Sequence, residues 1–535
     1  MNNKHLQATP RIICMTIAFV LFFAFSMTVF ATPTFPLTGA GQSGGEQSDN
    51  LQSYDAQVHA VQSHDAQSDA IQAYINTARS VSRAPGVSVA LTTGGVTRFY
   101  YSGVTDRESS AHPDDGTLWE LASVSKAFTA LGLIYLEKQG KISLADSISV
   151  YLPWLTFSYK GQPVDMQRVT LYDLLHHTSG ITNAKHPNLV LDRPKPDTLL
   201  KTVESLIGAE LTFPPGERME YGTKNYDVLG LVIEALSGQN YGDFMEEQIF
   251  RPLGLTQTFA IRSHAEATGN MTAGYKSNFI FFTNRNDSPE AAGSVPCGYI
   301  ITSPHDMARW MDIQTGVADG VPEIFRTIIP ETHEPMQNAV RADGSYYAAG
   351  WEVSEGEKTG ISGEVSESGK IVEHGGGNPG YSTYVLLFPD EKVGITVLCN
   401  ISSVNARLIA NDVKKILDGN LTPKYGVPQV NDILFTAGTV ICLVLSVLFI
   451  FSGVRRFRKS GKTHVTKRAI ILIASLAAVS GFMCVVLSNP ALVFGVSWSF
   501  ILTWMPYSLP SGLIALTLLS FCSTWFAVAS SIKKR

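Results

Sequence analysis

The stretch Leu118–Leu144, LWELASVSKAFTALGLIYLEKQGKISL, carries a Ser-Val-Ser-Lys tetrad at the start of a long apolar segment. The spacing of the apolar residues predicts a helix over Ser123–Gly140, which Gly140 ends. Side chains three positions apart lie on one face of a helix, so Ser123 and Lys126 are expected to meet. A serine hydroxyl becomes a good nucleophile only when a neighbour takes its proton, and a buried lysine amine can do so. The tetrad therefore indicates a serine nucleophile, although the same spacing taken alone also occurs on solvated helical turns.

The segments on either side of this helix indicate one α/β domain over residues 70–420. Runs rich in β-branched residues occur near both ends of the domain, and amphipathic helices lie between them. We therefore expect the terminal strands to share one antiparallel sheet. The predicted strands are Gly86–Thr92, Val96–Tyr101, Tyr381–Phe388 and Val393–Asn400, and the other predicted helices are Ala70–Ser80, Val228–Ser237 and Asn405–Leu417.

The charge of the chain is unevenly distributed. Its 535 residues include 41 Lys and Arg and 46 Asp and Glu, which gives a net charge of −5. No acidic residue precedes Glu46 or follows Asp432, and these two end segments hold twelve cations, so the part between them has 29 cations and a net charge of −17. A folded part this acidic excludes a nucleic-acid-binding protein, which needs a basic face. The six cysteines show neither a disulfide framework nor zinc-ligand spacing, so no metal and no cofactor are predicted.

The N-terminal residues have the pattern of a secretory signal. An apolar run over Ile12–Phe30 follows Lys4 and Arg11, and small residues follow it. We interpret residues 1–31 as a signal peptide, with an uncleaved membrane anchor as the alternative, and expect the next segment to be exported. Residues 32–69 are rich in Gln, Ser and Gly and are interpreted as a flexible spacer.

The C-terminal part contains three apolar runs, each about long enough to cross a bilayer. The runs are 433–454, 469–487 and 512–532. The basic loop 455–468 lies between the first two, and Lys533–Arg535 follows the third. By the positive-inside rule both cationic segments are cytoplasmic, which predicts a multi-pass protein with its folded domain outside the cytoplasmic membrane and its C-terminus inside. The shorter apolar stretch Ala491–Trp504 is interpreted as an external loop or an interfacial segment.

Six sequence blocks follow one another along the chain: SVSKAFTALGLIYLEKQGKISLADSISVYLPW, VTLYDLLHHTSGI, PPGERMEYGTKNYDVLGLVIEALSG, IFRPLGLTQT, PCGYIITSPHDMARWM and HGGGNPGYSTYVLLFPDEKVGITVLCN. Taken in order, they resemble the serine β-lactamase and penicillin-binding-protein superfamily, specifically its class C-like hydrolases. The resemblance covers about residues 73–417. It implies a β-lactamase and DD-peptidase type of α/β fold, in which an antiparallel sheet lies beside an all-helical subdomain, and an acyl-enzyme on the serine.

The resemblance implies catalytic roles for three residues. Ser123 matches the nucleophile of the family, and Lys126 matches its lysine. The family's Tyr-x-Asn element falls on Tyr221-Gly222-Thr223, whose tyrosine shares general-base duty with the lysine. Tyr226 is the competing tyrosine, but the flanking segments favour Tyr221. Thr223 departs from the usual Asn, whose amide contacts the substrate carbonyl in the family.

A third family element, Lys-Thr-Gly or His-x-Gly on a sheet edge, falls on His374-Gly375-Gly376 and implies substrate binding there. The oxyanion hole would use the backbone N–H groups of Ser123 and Gly377. A glycine-rich turn with a surface histidine is the alternative for this segment. The pair His176-His177 matches a structural loop of the family.

A narrower resemblance is to membrane-bound peptidases that activate prodrugs, similar to the colibactin-maturation peptidase. That branch combines a signal sequence, an exported serine peptidase domain and three C-terminal transmembrane helices, and it removes an N-acyl-D-asparagine cap from non-ribosomal peptides. A Glu lies three residues before its nucleophile and a hydroxyl residue two after its tyrosine, as Glu120 and Thr223 do here. The resemblance implies that these two residues and Asn378 bind the substrate. A carboxylate that only stabilises a helix start is the alternative for Glu120.

We therefore predict an extracytoplasmic, membrane-bound serine peptidase that acts on a small peptide or an acyl-peptide, with an N-acyl-D-Asn cap as the leading substrate. The enzyme alternatives within the superfamily are a D-Ala-D-Ala carboxypeptidase or other penicillin-binding protein, a β-lactamase and an esterase. The non-enzyme alternative is a penicillin sensor or scaffold with a degenerate site. The lipid bilayer is a predicted partner, as is an exporter that delivers the substrate.

Overall fold

A computed structural model describes residues 55–531 except 184, 186–196, 287, 289–290, 356–368, 403–404, 421–429, 459–466 and 495–496. The predicted signal peptide and the first part of the predicted spacer lie outside these residues. The chain divides into two compact units. The larger unit comprises residues 34–276 and 285–427, and the C-terminal unit includes residues 277–284 and 428–535.

The elements of secondary structure follow in chain order. The strands are β1 (Gly86–Thr93), β2 (Val96–Gly103), β3 (Trp119–Glu120), β4 (Phe157–Tyr159), β5 (Gln162–Pro163), β6 (Ala209–Glu210), β7 (Tyr275–Asn278), β8 (Phe282–Arg285), β9 (Ile301–Thr302), β10 (Tyr346–Tyr347), β11 (Glu352–Glu355), β12 (Lys370–Asn378), β13 (Tyr381–Phe388) and β14 (Val393–Cys399). The helices are α1 (Asp55–Ser82), α2 (Ser125–Lys138), α3 (Leu171–Leu175), α4 (Thr198–Glu204), α5 (Lys224–Ser237), α6 (Tyr241–Phe244), α7 (Arg251–Leu253), α8 (Arg262–Ala267), α9 (Val295–Gly298), α10 (Pro304–Gln314), α11 (Glu323–Thr332), α12 (Asn405–Leu417), α13 (Val430–Arg458), α14 (Lys467–Ser488), α15 (Ala491–Phe494), α16 (Trp498–Trp504) and α17 (Ser508–Ser531).

The larger unit is built on a seven-stranded sheet in the order β10-β11-β12-β13-β14-β1-β2. The first and last long strands are neighbours, because β1 pairs antiparallel with β14 from Val87 opposite Cys399 to Thr93 opposite Val393. This confirms the prediction of an antiparallel sheet shared by the terminal strands. Every residue of β13 and β14 is buried, which fits their nearly continuous apolar sequences and shows that both faces of the sheet are covered.

The terminal helices α1 and α12 cover one face of this sheet. Ile75 of α1 and Ile409 of α12 lie in one apolar cluster with Val397 of β14. Within this cluster the hydroxyl of Tyr74 donates a 2.9 Å hydrogen bond to the carboxylate of Asp412. A buried carboxylate that accepts such a bond avoids the cost of an unpaired charge, so the bond joins the two helices.

The other face carries a mostly helical region around α2, which fills a second, larger apolar cluster. Phe128 of α2 has no exposed surface and stacks on Trp310 of α10 with ring centroids 4.1 Å apart. Burial of one such side chain contributes about 2–3 kcal/mol. Gly140 adopts the left-handed φ of 71° just after α2, as predicted for the residue that ends this helix. Helix α5 ends in the same way at Gly238, with φ 70°.

The first helix is longer than predicted. It begins at Asp55 rather than Ala70, so it includes part of the stretch that was interpreted as a flexible spacer. The sequence DAQVHAVQSHDAQSDAIQ contains no Gly or Pro, and its Ala and Gln residues favour a helix. The predicted start of this helix at Ala70 is therefore wrong, because a polar composition alone does not prevent a helix from continuing.

The C-terminal unit contains three helices that are long and apolar enough to cross a membrane, counted over the residues described. These are Asn431–Arg458, Ile470–Ser488 and Ser508–Ser530, with mean hydropathies of 2.7, 2.7 and 1.8. Phe449 of α13 stacks on Phe526 of α17 with ring centroids 5.3 Å apart. The stretch predicted to be a loop or an interfacial segment forms two short helices, α15 and α16.

Candidate active site

Ser123 lies in a tight turn immediately before α2. Residues Ala122–Val124 form one turn of 3-10 helix, and Ala122 adopts a left-handed φ of 50°. Backbone strain of this kind persists only where the surrounding structure enforces it, and it is concentrated at functional sites. The amine of Lys126 lies 3.1 Å from the hydroxyl oxygen of Ser123. The structure thus brings together the two residues that the tetrad paired.

The amine of Lys126 is enclosed by protein. Its side chain has no exposed surface, and its Nζ also donates to the backbone carbonyl of Cys297 at 2.6 Å. The rings of Tyr221 and Tyr226 lie with their centroids 5.1 and 5.7 Å from Nζ. The role of the Cys297 carbonyl was not predicted, because the PCGYIITS block contains no side chain that indicates it. The amine therefore has a fixed position beside the hydroxyl of Ser123.

The geometry distinguishes the two candidate tyrosines. The hydroxyl of Tyr226 donates to the carbonyl of Leu175 at 2.9 Å, so it is committed to the core. The hydroxyl of Tyr221 is buried and has no hydrogen-bond partner among the described residues. A buried hydroxyl without a partner is unfavourable unless a ligand or water supplies one. This favours Tyr221 as the tyrosine of the site, in agreement with the sequence register.

Aromatic rings hold Tyr221 in place. The ring of His177 lies 4.4 Å from that of Tyr221, and the rings of Tyr347 and His374 lie 6.0 and 6.3 Å from it. His177 is fully buried, and its Nδ1 lies 3.1 Å from the amide nitrogen of Asn225. This is the structural position expected for the His176-His177 loop.

Thr223 occupies the position at which the family has Asn. Its backbone N–H donates to the side-chain oxygen of Asn183 at 2.8 Å, and the N–H of Asn183 donates to the carbonyl of Tyr221 at 3.2 Å. An amide side chain is therefore present beside the tyrosine, although it comes from another loop. No local sequence pattern points to Asn183, because it is separated from Thr223 by 40 positions.

The glycine-rich end of β12 forms an open sheet edge. Strand β11 pairs with β12 only from Lys370 to Glu373, so the stretch 374–378 is paired by β13 alone among the strands described. At Gly376 an added Cβ would lie 2.5 Å from the carbonyl oxygen of Leu121 and 2.3 Å from the hydroxyl of Thr383. This edge therefore lies directly against the turn that carries Ser123. At Gly377 an added Cβ would meet nothing within 4 Å, so this glycine borders open space beside the turn.

His374 is placed differently from the surface position considered for it. It is 2% exposed, its Nε2 lies 3.1 Å from the hydroxyl of Tyr347, and its Nδ1 lies 2.8 Å from the carbonyl oxygen of Gly375. Burial, together with the nearby charge of Lys126, lowers the pKa of His374 to about 3. The imidazole is therefore neutral near pH 7 and supports the tyrosine cluster. A direct contact of His374 and Gly375 with substrate stays a prediction.

A polar cluster lies beside the turn that holds Ser123. The carboxylate of Glu120 is 5% exposed and accepts hydrogen bonds from the guanidinium of Arg262 and, at 2.8 Å, from the amide nitrogen of Asn378. The same amide nitrogen donates to the carbonyl of Gly298 at 2.8 Å. The structure therefore joins two of the three residues that the narrower resemblance singled out, Glu120 and Asn378. It adds Arg262, which sequence reasoning missed.

Asp227 is a second unpredicted group near the site. Its side chain is fully buried, and one carboxylate oxygen accepts from the hydroxyl of Ser294 at 3.2 Å. Burial raises the pKa of Asp227 to about 6, against the lowering effect of Cys297 and of the charges of Lys126 and Lys224. Ser294 immediately precedes the short helix α9, and Cys297 within that helix presents its carbonyl to Lys126. Among the described residues no cluster of His, Cys, Asp and Glu could hold a metal ion.

Comparisons with known proteins give the same fold. Residues 71–417 match the model of the family described as beta-lactamase. Protein flp of Staphylococcus aureus (strain NCTC 8325 / PS 47) is 26% identical over 463 residues, which are 83% of this chain and 86% of that protein. Penicillin-binding protein 4* of Bacillus subtilis (strain 168) is 28% identical over 313 residues, or 53% of this chain and 61% of the relative.

Solved structures agree at the level of the fold. A class C beta-lactamase superposes with a TM-score of 0.56 at 22% identity, covering 67% of this chain and 98% of that one. A Beta-Lactamase/D-Alanine Carboxypeptidase from Pseudomonas syringae superposes with a TM-score of 0.54 at 18% identity, covering 67% and 100%. The family match extends over more than half of the sequence, and the chain therefore belongs to the beta-lactamase family.

Proposed function

We propose that this protein is a membrane-bound serine peptidase that hydrolyses an amide through an acyl-enzyme on Ser123. The observation that carries the proposal is the 3.1 Å contact between the amine of Lys126 and the hydroxyl of Ser123, in a turn that faces an open sheet edge. Lys126 and Tyr221 are proposed to move the protons. A scaffold with a degenerate site would not need this contact, so the contact favours a serine that reacts over one that does not.

In the proposed reaction the oxygen of Ser123 attacks the carbonyl carbon of the substrate. Its proton passes to Lys126 or Tyr221, and from there to the nitrogen of the leaving amine as the C–N bond breaks. Backbone N–H groups of Ser123 and Gly377 are proposed to stabilise the negative oxygen that develops on the substrate. Water then attacks the ester, which releases the carboxylic acid and returns a proton to the serine oxygen.

For the substrate we propose an acylated D-amino acid with an amide side chain, D-Asn in particular. The support is the cluster of Glu120, Asn378 and Arg262 beside the nucleophile turn. A side-chain amide needs one acceptor for its N–H groups and one donor for its oxygen. Glu120 supplies a carboxylate that already accepts from an amide nitrogen, and the other two residues supply donors. Thr223 is proposed to contact the same substrate from the other side of the serine.

The proposed site of action is outside the cytoplasmic membrane. The support is the sequence itself, since cationic segments follow the first and the third of the long apolar helices. An exporter would then deliver the substrate to the same side. A D-alanine carboxypeptidase or penicillin-binding protein is the second candidate function, because a relative and a structural neighbour carry those names.

A substrate panel tests the choice. Full-length protein in lipid nanodiscs would receive an N-myristoyl-D-Asn peptide amide, its L-Asn counterpart, an N-acyl-D-Ala-D-Ala peptide and nitrocefin. We expect kcat/KM for the D-Asn amide to exceed the others by about tenfold or more, because a net hydrogen-bond contribution of about 1.4 kcal/mol corresponds to roughly tenfold. Preference for D-Ala-D-Ala would favour the second candidate, and equal rates for D- and L-Asn would contradict the D-Asn proposal.

The variant Glu120→Gln tests the role of the polar cluster. Glutamine has nearly the shape of glutamate, but an NH₂ donor replaces one of the two acceptor oxygens of the carboxylate. We therefore expect the rate of cleavage of the D-Asn amide to fall about 10- to 100-fold. Hydrolysis of a simple acyl ester should change much less, since that substrate has no side-chain amide. Equal losses for both substrates would show that Glu120 only supports the turn.

A further inference from the structure

The C-terminal unit includes a short hairpin tip besides its long helices. Residues 277–284 belong to this unit, and they contain the sequence Phe279-Ile280-Phe281-Phe282. The side chains of Phe281 and Phe282 are 67% and 60% exposed. Exposing two adjacent aromatic side chains to water is unfavourable in free energy, so transfer of the tip to an apolar environment would stabilise it.

A buried carboxylate fixes this tip. Asp432 is 1% exposed and accepts hydrogen bonds from the backbone N–H of Phe279 at 3.0 Å and of Ile280 at 2.8 Å. Both residues adopt left-handed backbone conformations, with φ of 49° and 64°. Such a φ is rare for a β-branched residue such as Ile280. The carboxylate compensates this strain by satisfying two backbone donors at once.

The position of Asp432 places the tip at the edge of a bilayer. Asp432 precedes the apolar run of α13, and Arg455 follows that run. The two residues are separated by roughly 35 Å along the helix axis, which is slightly more than the roughly 30 Å hydrocarbon thickness. If α13 crosses the membrane, Asp432 lies at one boundary, and the tip that it holds lies there too.

Other aromatic residues occur at the same end of the helices. The backbone N–H of Tyr507, just before α17, donates to the side-chain oxygen of Asn278 at 2.6 Å. Tyr507 is 37% exposed, and Trp504 ends α16 three positions earlier. Tyr and Trp are enriched where the hydrocarbon meets the headgroups. Tyr507 and Trp504 therefore place two further aromatic side chains at the end of the helices that holds the tip.

We infer that Phe281 and Phe282 insert into the lipid bilayer at the boundary between headgroups and acyl chains, with Asp432 holding the tip in this position. The inference rests on α13 crossing the membrane and is independent of the proposed peptidase reaction. It adds a lipid contact that the long helices alone do not provide.

Fluorescence quenching by lipids tests the inference. In full-length protein with Cys14 and Cys484 replaced by serine, one cysteine introduced at position 281 or 282 would carry an NBD label in nanodiscs. The remaining native cysteines are buried: Cys297, Cys399, Cys442 and Cys522. The nanodiscs would contain phosphatidylcholine that is spin-labelled either near the headgroup or near the end of its acyl chain. Position 447, which is 64% exposed in the middle of α13, serves as the positive control. Position 96, which is 57% exposed at the start of β2, serves as the negative control.

We expect the headgroup-proximal spin label to quench position 281 or 282 at least about twofold more than position 96, and position 447 to respond more to the deep label. Quenching at the tip no greater than at position 96, or no lipid quenching at position 447, would overturn the inference. The inference would also be overturned if a second labelled copy of the chain, rather than lipid, shielded the tip.

The variant Asp432→Asn tests how the tip is held. It keeps one acceptor oxygen but loses the second, so the two N–H groups compete for it. We expect quenching at position 281 to fall by about half or more, while quenching at position 447, which reports that the helix remains inserted, stays unchanged. Unchanged quenching at both positions would show that Asp432 does not hold the tip.

Discussion

The hydroxyl of Ser123 lies 3.1 Å from a lysine amine whose side chain has no contact with solvent. The sequence could predict this pair because the two residues are three positions apart, and helical geometry alone brings them together. It could not predict the partner of Glu120, because Arg262 is 142 positions away. The same holds for the Cys297 carbonyl, since a backbone acceptor leaves no mark in the sequence. Contacts between residues close in the sequence could therefore be predicted at this scale, and contacts between residues far apart in the sequence could not.

The two neighbouring glycines Gly376 and Gly377 provide a matched test of the open edge. Gly376→Ala places a methyl carbon 2.3 Å from the hydroxyl of Thr383 and 2.5 Å from the carbonyl oxygen of Leu121, the residue before the turn that holds Ser123. We expect it to displace that turn, to lower the free energy of unfolding by about 1–3 kcal/mol, and to slow labelling of Ser123 by a fluorophosphonate. The measurements are the thermal midpoint and the rate of labelling.

Gly377→Ala is the control at this site. Its methyl group meets nothing within 4 Å, so stability should stay nearly unchanged. Equal loss of stability in both variants would contradict the packing of the strand edge against the turn.

Asp227 leads to a prediction about pH. Its folded-state pKa of about 6 lies above the ordinary value of 3.8, so the folded protein binds a proton more tightly than the unfolded chain. The stability due to this group is fully present below about pH 4 and is lost as the pH rises through about 6. We expect Asp227→Asn to stabilise the protein by about 3 kcal/mol at pH 8 and by much less at pH 4. Thermal midpoints at both pH values measure the difference, and a constant difference would contradict the shifted pKa.

At the scale of elements, the pairing of β12 explains where the edge of the sheet is open. Its first part is paired on both sides, whereas its glycine-rich end is paired by β13 alone among the described strands. A sheet edge with free backbone groups can accept an extended peptide. The sequence indicated the strand through its glycines, but the length of β11, which decides where the edge opens, could not be predicted. Strand β11 has only four residues, too few for a period to be recognised.

The basic loop between α13 and α14 carries the prediction of sidedness. A cysteine introduced at position 461 should react with a membrane-impermeant maleimide only after the cells are opened, because the cations around it are retained in the cytoplasm. A cysteine at position 96 should react in intact cells, since this residue is 57% exposed in the larger unit. Labelling of position 461 in intact cells would contradict the proposed location of the larger unit.

At the scale of the whole molecule, the chain contains two units of very different composition. The net charge of −5 hides an acidic middle and two basic ends without acidic residues, and this division corresponds to a β-lactamase fold followed by three long apolar helices. The pairing of the first and last strands could be predicted, because both ends of the domain carry β-rich segments. The early start of α1 and the hairpin tip could not, because a polar repeat and a short aromatic turn each allow several structures.

The central claim is that Ser123 forms a covalent acyl-enzyme, and labelling followed by intact-protein mass spectrometry tests it most directly. The full-length protein in nanodiscs would be treated with a fluorophosphonate, and the adduct would be located by peptide mapping. Ser125→Ala is the matched control, because Ser125 lies in the same tetrad and its hydroxyl accepts from the N–H of Ile300 at 3.1 Å. We predict one adduct on Ser123 in the wild type and in Ser125→Ala, and none in Ser123→Ala. An unlabelled wild type, or an adduct that persists in Ser123→Ala, would contradict the account.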